Sequence, residues 1–153
     1  SIESAGGNLG VIKACGQTPN CVSSTDPRQA YAIKPLAFTG SVSETKKSLL
    51  KIIAALPGSR LAGNHGPYLH FEFTSRFLRF IDDVEFFFDE DLKQIEMRSA
   101  SRTGRYDLGV NRKRLNLITK HWNQLLTKVT FPFLRNGESP NGDSPLRKKG
   151  TVT

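Results

Sequence analysis

Two adjacent carboxylates, Asp82 and Asp83, sit in the phenylalanine-rich stretch "FIDDVEFFFD", and a base-rich run, "SASRTGRYDLGVNRKR", follows it. Paired acids can share a proton, a metal or a substrate only when both point to the same place. Alternation along a strand sends Asp82 and Asp83 to opposite faces, so they do not form a general acid and base pair. Asp82 falls on the side of the strand otherwise occupied by Phe80, Val84, Phe86 and Phe88. An unpaired carboxylate there would be neutralised or destabilising, so an arginine or backbone donors must hold it. Arg98 belongs to the other face, which leaves Arg102 and Arg112 as the expected partners.

The base-rich run suggests different chemistry. Gly104 and Gly109 permit tight turns, and a helix N-terminus after a strand gathers N–H groups around an anion, with Arg102, Arg105 and Arg112 close by. A phosphate or a carboxylate would suit such a place. Yet the Asp107 side chain competes for the same donors, and the spacing is neither that of a P-loop nor that of a dinucleotide fingerprint. Three readings stay open: a network of Arg, Asp107 and Asn111 that locks strand to helix, an anion site, or an interaction surface. No catalytic residue is assigned and no cofactor is expected. His65, His70 and His121 stand at no metal-ligating spacing from one another or from the cysteines, so no metal is expected either. Cys15 and Cys21 enclose a short Gly- and Pro-containing loop that either closes as a disulfide, implying an oxidising compartment, or stays as two thiols.

The elements that position these residues follow from periodicity. Residues 1–29 are rich in Gly, Ser, Asn and Pro and read as an extended arm with the cysteine loop. "AYAIKPLAF" (30–38) offers a first strand, demoted to an edge by Pro35. Ser41 and Glu44 form a capping box ahead of Leu49, Ile52, Ile53 and Leu56, and Pro57-Gly58 ends that helix. Leu69, Phe71 and Phe73 alternate with His70, Glu72 and Thr74 after a turn at 63–67. For the next two strands, residue numbers summing to 183 pair Phe88 with Ile95, Phe86 with Met97 and Val84 with Ser99. That register leaves a four-residue loop, Glu90 to Lys93, and sets Glu85 against Arg98 on the outer face. A last helix runs from an N-cap at Asp107 to about Thr127, with Leu115, Ile118, Trp122 and Leu125 as its stripe. The fold expected is α+β, with about five mostly antiparallel strands and two helices on one sheet face, in the order β-α-β-β-β-β-α. Its core is Phe71, Phe73, Phe86, Phe88, Ile95, Met97, Leu115, Ile118 and Trp122. One domain at 30–128 is followed by an extended basic tail at 129–153.

Charge is uneven along the chain. The net charge of +8 arises wholly after residue 97, where twelve Lys and Arg face only Asp107, Glu138 and Asp143. Such a half suits an anionic surface or an acidic partner, while nucleic acid is disfavoured because no nucleic-acid-binding motif accompanies the charge. No apolar run nears the roughly 20 residues needed to span a bilayer. The sequence opens at Ser1 without Met or a leader, as expected of a chain that has lost a targeting segment or has been trimmed.

Three pieces, "PNCVSS", "SRFLRFIDDVEFFFD" and "IEMRSASRTGRYDLGVNRKR", together resemble the family catalogued as domain of unknown function 1499. The resemblance covers roughly residues 15 to 127. It implies a bacterial envelope or plastid setting: a chloroplast, including its thylakoid lumen, or alternatively a bacterial periplasm. It supplies no catalytic residues. The function expected is that of a non-enzymatic accessory or subunit protein docking, through its sheet surface and its two irregular arms, on a larger membrane-associated complex, a photosynthetic one in the chloroplast setting. The alternative is a small anionic ligand- or lipid-binding protein, or a hydrolase, using the hollow between sheet and helices with Asp82, Arg102, Asp107, Asn111 and Arg112 at its rim.

Overall fold

The computed structural model describes residues 12–130 of the chain. The expected extended tail beyond 130 and the first part of the arm therefore lie outside the described residues. Eight elements follow one another: β1 (Cys21–Ser23), β2 (Leu36–Ala37), α1 (Val42–Ala54), β3 (Ser59–His65), β4 (Tyr68–Thr74), β5 (Ile81–Asp89), β6 (Gln94–Ser101) and α2 (Val110–Thr130). The strands make one sheet in the order β1-β6-β5-β4-β3, and β2 also pairs with β6. All of these pairings are antiparallel. The α+β class holds, with six strands rather than five. The chain divides into two compact units, Ser1–Thr119 and Lys120–Thr153. The described part of the second is the C-terminal half of α2, in which Trp122 is buried.

The central hairpin has the expected register. Phe86 lies opposite Met97, Phe88 opposite Ile95, Val84 opposite Ser99 and Glu85 opposite Arg98, with turn residues 90–93 between the strands. Two strands whose apolar residues both recur every second position bury both sets only in registers of that parity, and the four-residue turn selects this one. Phe71, Phe73, Phe86, Phe88, Ile95, Met97, Leu115 and Ile118 are all buried. Phe71 meets Phe86 edge-on at 5.9 Å between ring centres, and Phe38 meets Phe88 at 6.1 Å. Both helices meet this face. The carbonyl of Ile53 at the end of α1 accepts from Ser59 Oγ, opposite Phe73 in the sheet, and the Arg114 guanidinium of α2 lies 4.7 Å from the Phe73 ring centre. Ser41 caps α1 as expected, its hydroxyl accepting from the Glu44 N–H at 3.1 Å.

Four expectations change. Part of the arm is sheet: Cys21–Ser23 pairs with β6, and of the expected 30–38 strand only Leu36–Ala37 pairs with β6, while Ala32 forms an isolated parallel bridge with Ser23. Pro35 and the short reach of the segment confine that pairing to β6's edge. Phe80 is 53% exposed instead of sharing the core side of β5. Its backbone N–H donates to Ser75 Oγ and its carbonyl accepts from the Ser75 N–H, and Arg79 before it has φ of 60°, so the chain turns before the strand begins at Ile81. Asp107 lies upstream of α2, which starts at Val110 and continues to Thr130. Finally, the outer face of the sheet is not solvated along its middle. His70, Asp83 and Glu85 are all buried, although alternation placed them outside.

Part of the arm lies on that outer face. Ser23 Oγ donates to the Lys13 carbonyl at 2.7 Å and Thr25 Oγ1 to the Ile12 carbonyl at 2.9 Å, and Ile12 packs with Tyr68 and Phe87. Residues 12 and 13 thus lie against the second face. A disulfide between Cys15 and Cys21, with 5.7 Å between Cα atoms, ties this stretch to β1. Asp26 secures it further. Its carboxylate accepts from the Cys15 N–H at 2.9 Å and from Arg28, whose Nη2 also donates to the Cys15 carbonyl at 2.8 Å. The hydrogen bonds of Arg28 hold the Asp26 carboxyl well below the usual carboxylate range.

Candidate functional site

The sequence-predicted residues separate into three groups. Asp82, Asp107 and Asn111 join the network between β6, β5 and α2. Asn111 is fully buried, and its Oδ1 accepts from Ser99 Oγ at 2.6 Å and from Arg114 Nη1 at 2.9 Å. Its Nδ2 donates to Asp107 Oδ2 at 2.7 Å, to Ser101 Oγ at 3.0 Å and to the Asn20 carbonyl at 3.1 Å. Asp107 turns back to accept from the Gly109 N–H at 2.9 Å and from the Asn111 N–H at 3.1 Å. Those are the donors at the start of α2 that an anion would need, and a carboxylate already holds them. Asp82 is paired with Arg114, at 2.8 Å, and not with Arg102 or Arg112. Arg112 donates instead to the Ala30 carbonyl at 3.1 Å. Sequence reasoning missed Arg114. A signal was present, since Arg114 lies three residues after Asn111 and four before Ile118, on the stripe that faces the sheet.

Arg102 belongs to the opposite face. Its Nε and Nη2 donate to the two Asp83 oxygens at 2.8 and 2.9 Å, and Nη2 also reaches Glu72, which Arg60 grips from β3. His70 Nε2 lies 2.7 Å from Asp83 Oδ1. Burial pushes the Asp83 carboxyl up, but the hydrogen bonds from His70 and Arg102 outweigh it and hold this acid well below the usual range. Glu72 is lowered too, by its bonds from Arg60 and Arg102. One step along the sheet, Tyr68 donates its hydroxyl to Glu85 at 2.6 Å, and burial together with that bond pushes the phenol far above its ordinary value. Glu85 lies 3.5 Å from Arg98 Nη1. His70, Glu85 and Arg98 are cross-strand neighbours, and His70 Nδ1, Glu85 Oε1 and Arg98 Nε and Nη1 are buried without a hydrogen-bond partner.

The third group lies at one end of the sheet. Ser101 pairs with Asp82, and the Arg102 N–H donates to the Ile81 carbonyl at 3.1 Å, so the β4–β5 loop and the β6–α2 link leave the sheet side by side. Arg105 is exposed in this link and joins neither network. The two segments carry most of the exposed large apolar side chains among the described residues. Phe77 is 84% exposed, Leu78 70%, Tyr106 76% and Leu108 87%, with Phe80 and Val110 beside them. Asn20 Nδ2 donates to the Gly104 carbonyl at 2.7 Å and fixes the link to the base of the cysteine loop.

The three motifs that carry the resemblance are now placed. "PNCVSS" is β1 with its disulfide, "SRFLRFIDDVEFFFD" is the exposed loop and β5, and "IEMRSASRTGRYDLGVNRKR" is β6, the link and the start of α2. All three converge on the same end of one sheet. The sequence model of the family described as Protein of unknown function (DUF1499) matches residues 11–121. The chain belongs to the DUF1499 family. No curated protein and no solved structure matches it. Within the DUF1499 match lie both polar networks and the exposed end. No group of His, Cys, Asp and Glu among the described residues is arranged to hold a metal, and no described helix is long and apolar enough to cross a membrane.

Two clefts lie among the described residues. One of about 240 Å³ is lined by Pro19, Val22, Ala30, Tyr31, Asp107 and Arg112 among others, and one of about 350 Å³ lies along α1 beside Lys46 and Asn64. The first opens between β1 and the start of α2, and the second between α1 and the β3–β4 turn. Of the five residues expected at the rim of a hollow between sheet and helices, Asp107 and Arg112 line the first cleft, Asp82 and Asn111 belong to the network facing α2, and Arg102 lies on the opposite face.

Proposed function

We propose that this DUF1499 protein is a non-enzymatic accessory or subunit protein that docks on a larger membrane-associated assembly. The observation that carries the reading is the end of the sheet, where Phe77, Leu78, Phe80, Tyr106, Leu108 and Val110 stand exposed on two adjoining segments. Soluble chains seldom leave so many large apolar side chains together in water unless a partner covers them. Docking is assigned to this end and not to the sheet's second face, where Ile12 packs with Tyr68 and Phe87 and where His70, Asp83 and Glu85 are buried. The Cys15–Cys21 disulfide supports an oxidising compartment. A thylakoid lumen of a photosynthetic membrane fits that, and a bacterial periplasm is the alternative setting. Against the other reading, a small anionic ligand- or lipid-binding protein or hydrolase, stands the use of α2's first donors by Asp107.

The test is purification of the tagged protein from its own membranes in mild detergent, beside a Phe77→Asp/Leu108→Asp variant. A co-purifying assembly that the variant loses supports the reading. A monomer without companions, or companions retained in full by the variant, overturns it.

A further inference from the structure

We infer that the exposed end of the sheet binds the surface of an anionic lipid bilayer. The inference rests on the docking reading above and names the partner of that same surface. Its first support is the shape of the apolar side chains' setting. Phe77, Leu78 and Leu108 are more than two-thirds exposed on loops, not recessed in a groove. Such protrusions fit a partner that supplies an apolar medium without a matching shape, which is what the boundary between lipid headgroups and acyl chains offers.

The second support is charge. Arg76, Arg79 and Arg105 are exposed and alternate with the apolar residues, in "SRFLRF" and in "RTGRYDLGV". Carboxylates at this end are engaged: Asp107 accepts from the start of α2, and Asp83 is buried against Arg102 and His70. The outward charge is therefore positive, complementary to anionic headgroups. Arginine stems lie along apolar surface while their heads reach phosphate, and Tyr106 has the amphipathic ring that favours a membrane interface. Arg76 already lies over the Phe77 ring, 5.5 Å from its centre, so charge and apolar surface are presented together.

The third support is how the end is held. Arg79 and Leu108 have φ of 60° and 55°, conformations that cost non-glycine residues energy, and both stand at the turns that carry the exposed side chains. The loop is closed by the Ser75–Phe80 bond pair and the link by Asn20 and Asp107, so the apolar tips are prepositioned.

The experiment is co-sedimentation of the full chain with vesicles of equal phosphatidylglycerol and phosphatidylcholine, and with vesicles of phosphatidylcholine alone. Binding to the anionic vesicles and weak binding to neutral ones is expected. Arg76→Gln, Arg79→Gln and Arg105→Gln should each weaken it about fivefold, and Phe77→Ser/Leu108→Ser should abolish it with the thermal melt unchanged. A Phe77→Trp variant should be quenched by bromine-labelled acyl chains. Absence of anionic-vesicle binding, or binding that survives the loop variants and leaves Trp at 77 unquenched, overturns the inference. If vesicle binding is absent while an assembly still co-purifies through Phe77 and Leu108, the docking reading stands and a protein surface takes the place of the bilayer.

Discussion

Arg114, in the first turns of the last helix, ends 2.8 Å from the carboxylate of Asp82 in the sheet. The acid that interrupts the phenylalanine side of β5 is thereby neutralised from the opposite layer, with the Phe73 ring flanking the guanidinium. Removing one member leaves the other charge in a largely dry interface. Arg114→Leu should destabilise the protein by about 3–5 kcal/mol, read as a fall in the urea midpoint. Asp82→Leu added to Arg114→Leu should recover most of that loss, because the orphaned charge is then gone. A double variant as unstable as the sum of the singles would show that the pair is not coupled.

What the sequence revealed, and what it hid, divides along the same line. The Phe86–Met97 register is legible because two period-two patterns and a short loop admit one solution, and the capped first helix is legible from Ser41 and Glu44. The burial of His70, Asp83 and Glu85 is not, because alternation alone puts them outside, while their partners Arg102, Tyr68 and Arg98 come from other parts of the chain. Arg114 was outweighed by nearer-looking arginines. Its partner depends on how the helix crosses the sheet, which spacing alone does not encode. The exposed end lies in "SRFLRF" and "RTGRYDLGV", where alternation points Phe80 inward although the turn at Arg79 ends the strand pattern before it.

The outer-face network fixes the pH range of stability. Asp83 and Glu72 have folded-state values below their unfolded ones, so their contribution is present above the unfolded values and is lost as pH falls below about 4. Tyr68 is raised, so its contribution is present below its unfolded value and is lost as pH rises beyond about 10. Stability should therefore form a plateau between those limits. In urea titrations across pH, Tyr68→Phe should lower the plateau by about 1 kcal/mol and flatten the alkaline descent. An alkaline limb of unchanged steepness in that variant would contradict the assignment.

The disulfide closes a loop between positions six apart in sequence. By the chain-entropy relation, its loss should cost about 2 kcal/mol, while the bonds of Asp26, Arg28 and Ser23 still hold the arm. Reduction, or Cys15→Ser/Cys21→Ser, should lower the denaturation midpoint without unfolding the sheet. Hydrogen exchange should quicken first at Cys21–Ser23 and at its partners on β6, since the edge strand and the cover over Tyr68 and Phe87 depend on the same short stretch. Uniform quickening across β4 and β5 would mean that the arm and the sheet unfold as one.

Gly58 and Gly40 share a φ of +81° but differ in what surrounds them. A Cβ at Gly58 would stand 2.6 Å from the carbonyl oxygen of Thr74, whereas one at Gly40 would meet nothing within 4 Å. The contact at Gly58 is backbone against backbone, and the Thr74 N–H donates to the Gly58 carbonyl at 3.0 Å, so neither chain can yield without breaking the start of the β3–β4 pair. Both alanine variants carry the left-handed cost of about 1 kcal/mol. Gly58→Ala adds the displacement of Thr74 and should total about 3 kcal/mol by thermal or urea unfolding. The difference between the two variants isolates the close approach from the backbone conformation, and equal losses at both positions would show that Thr74 moves aside at little cost.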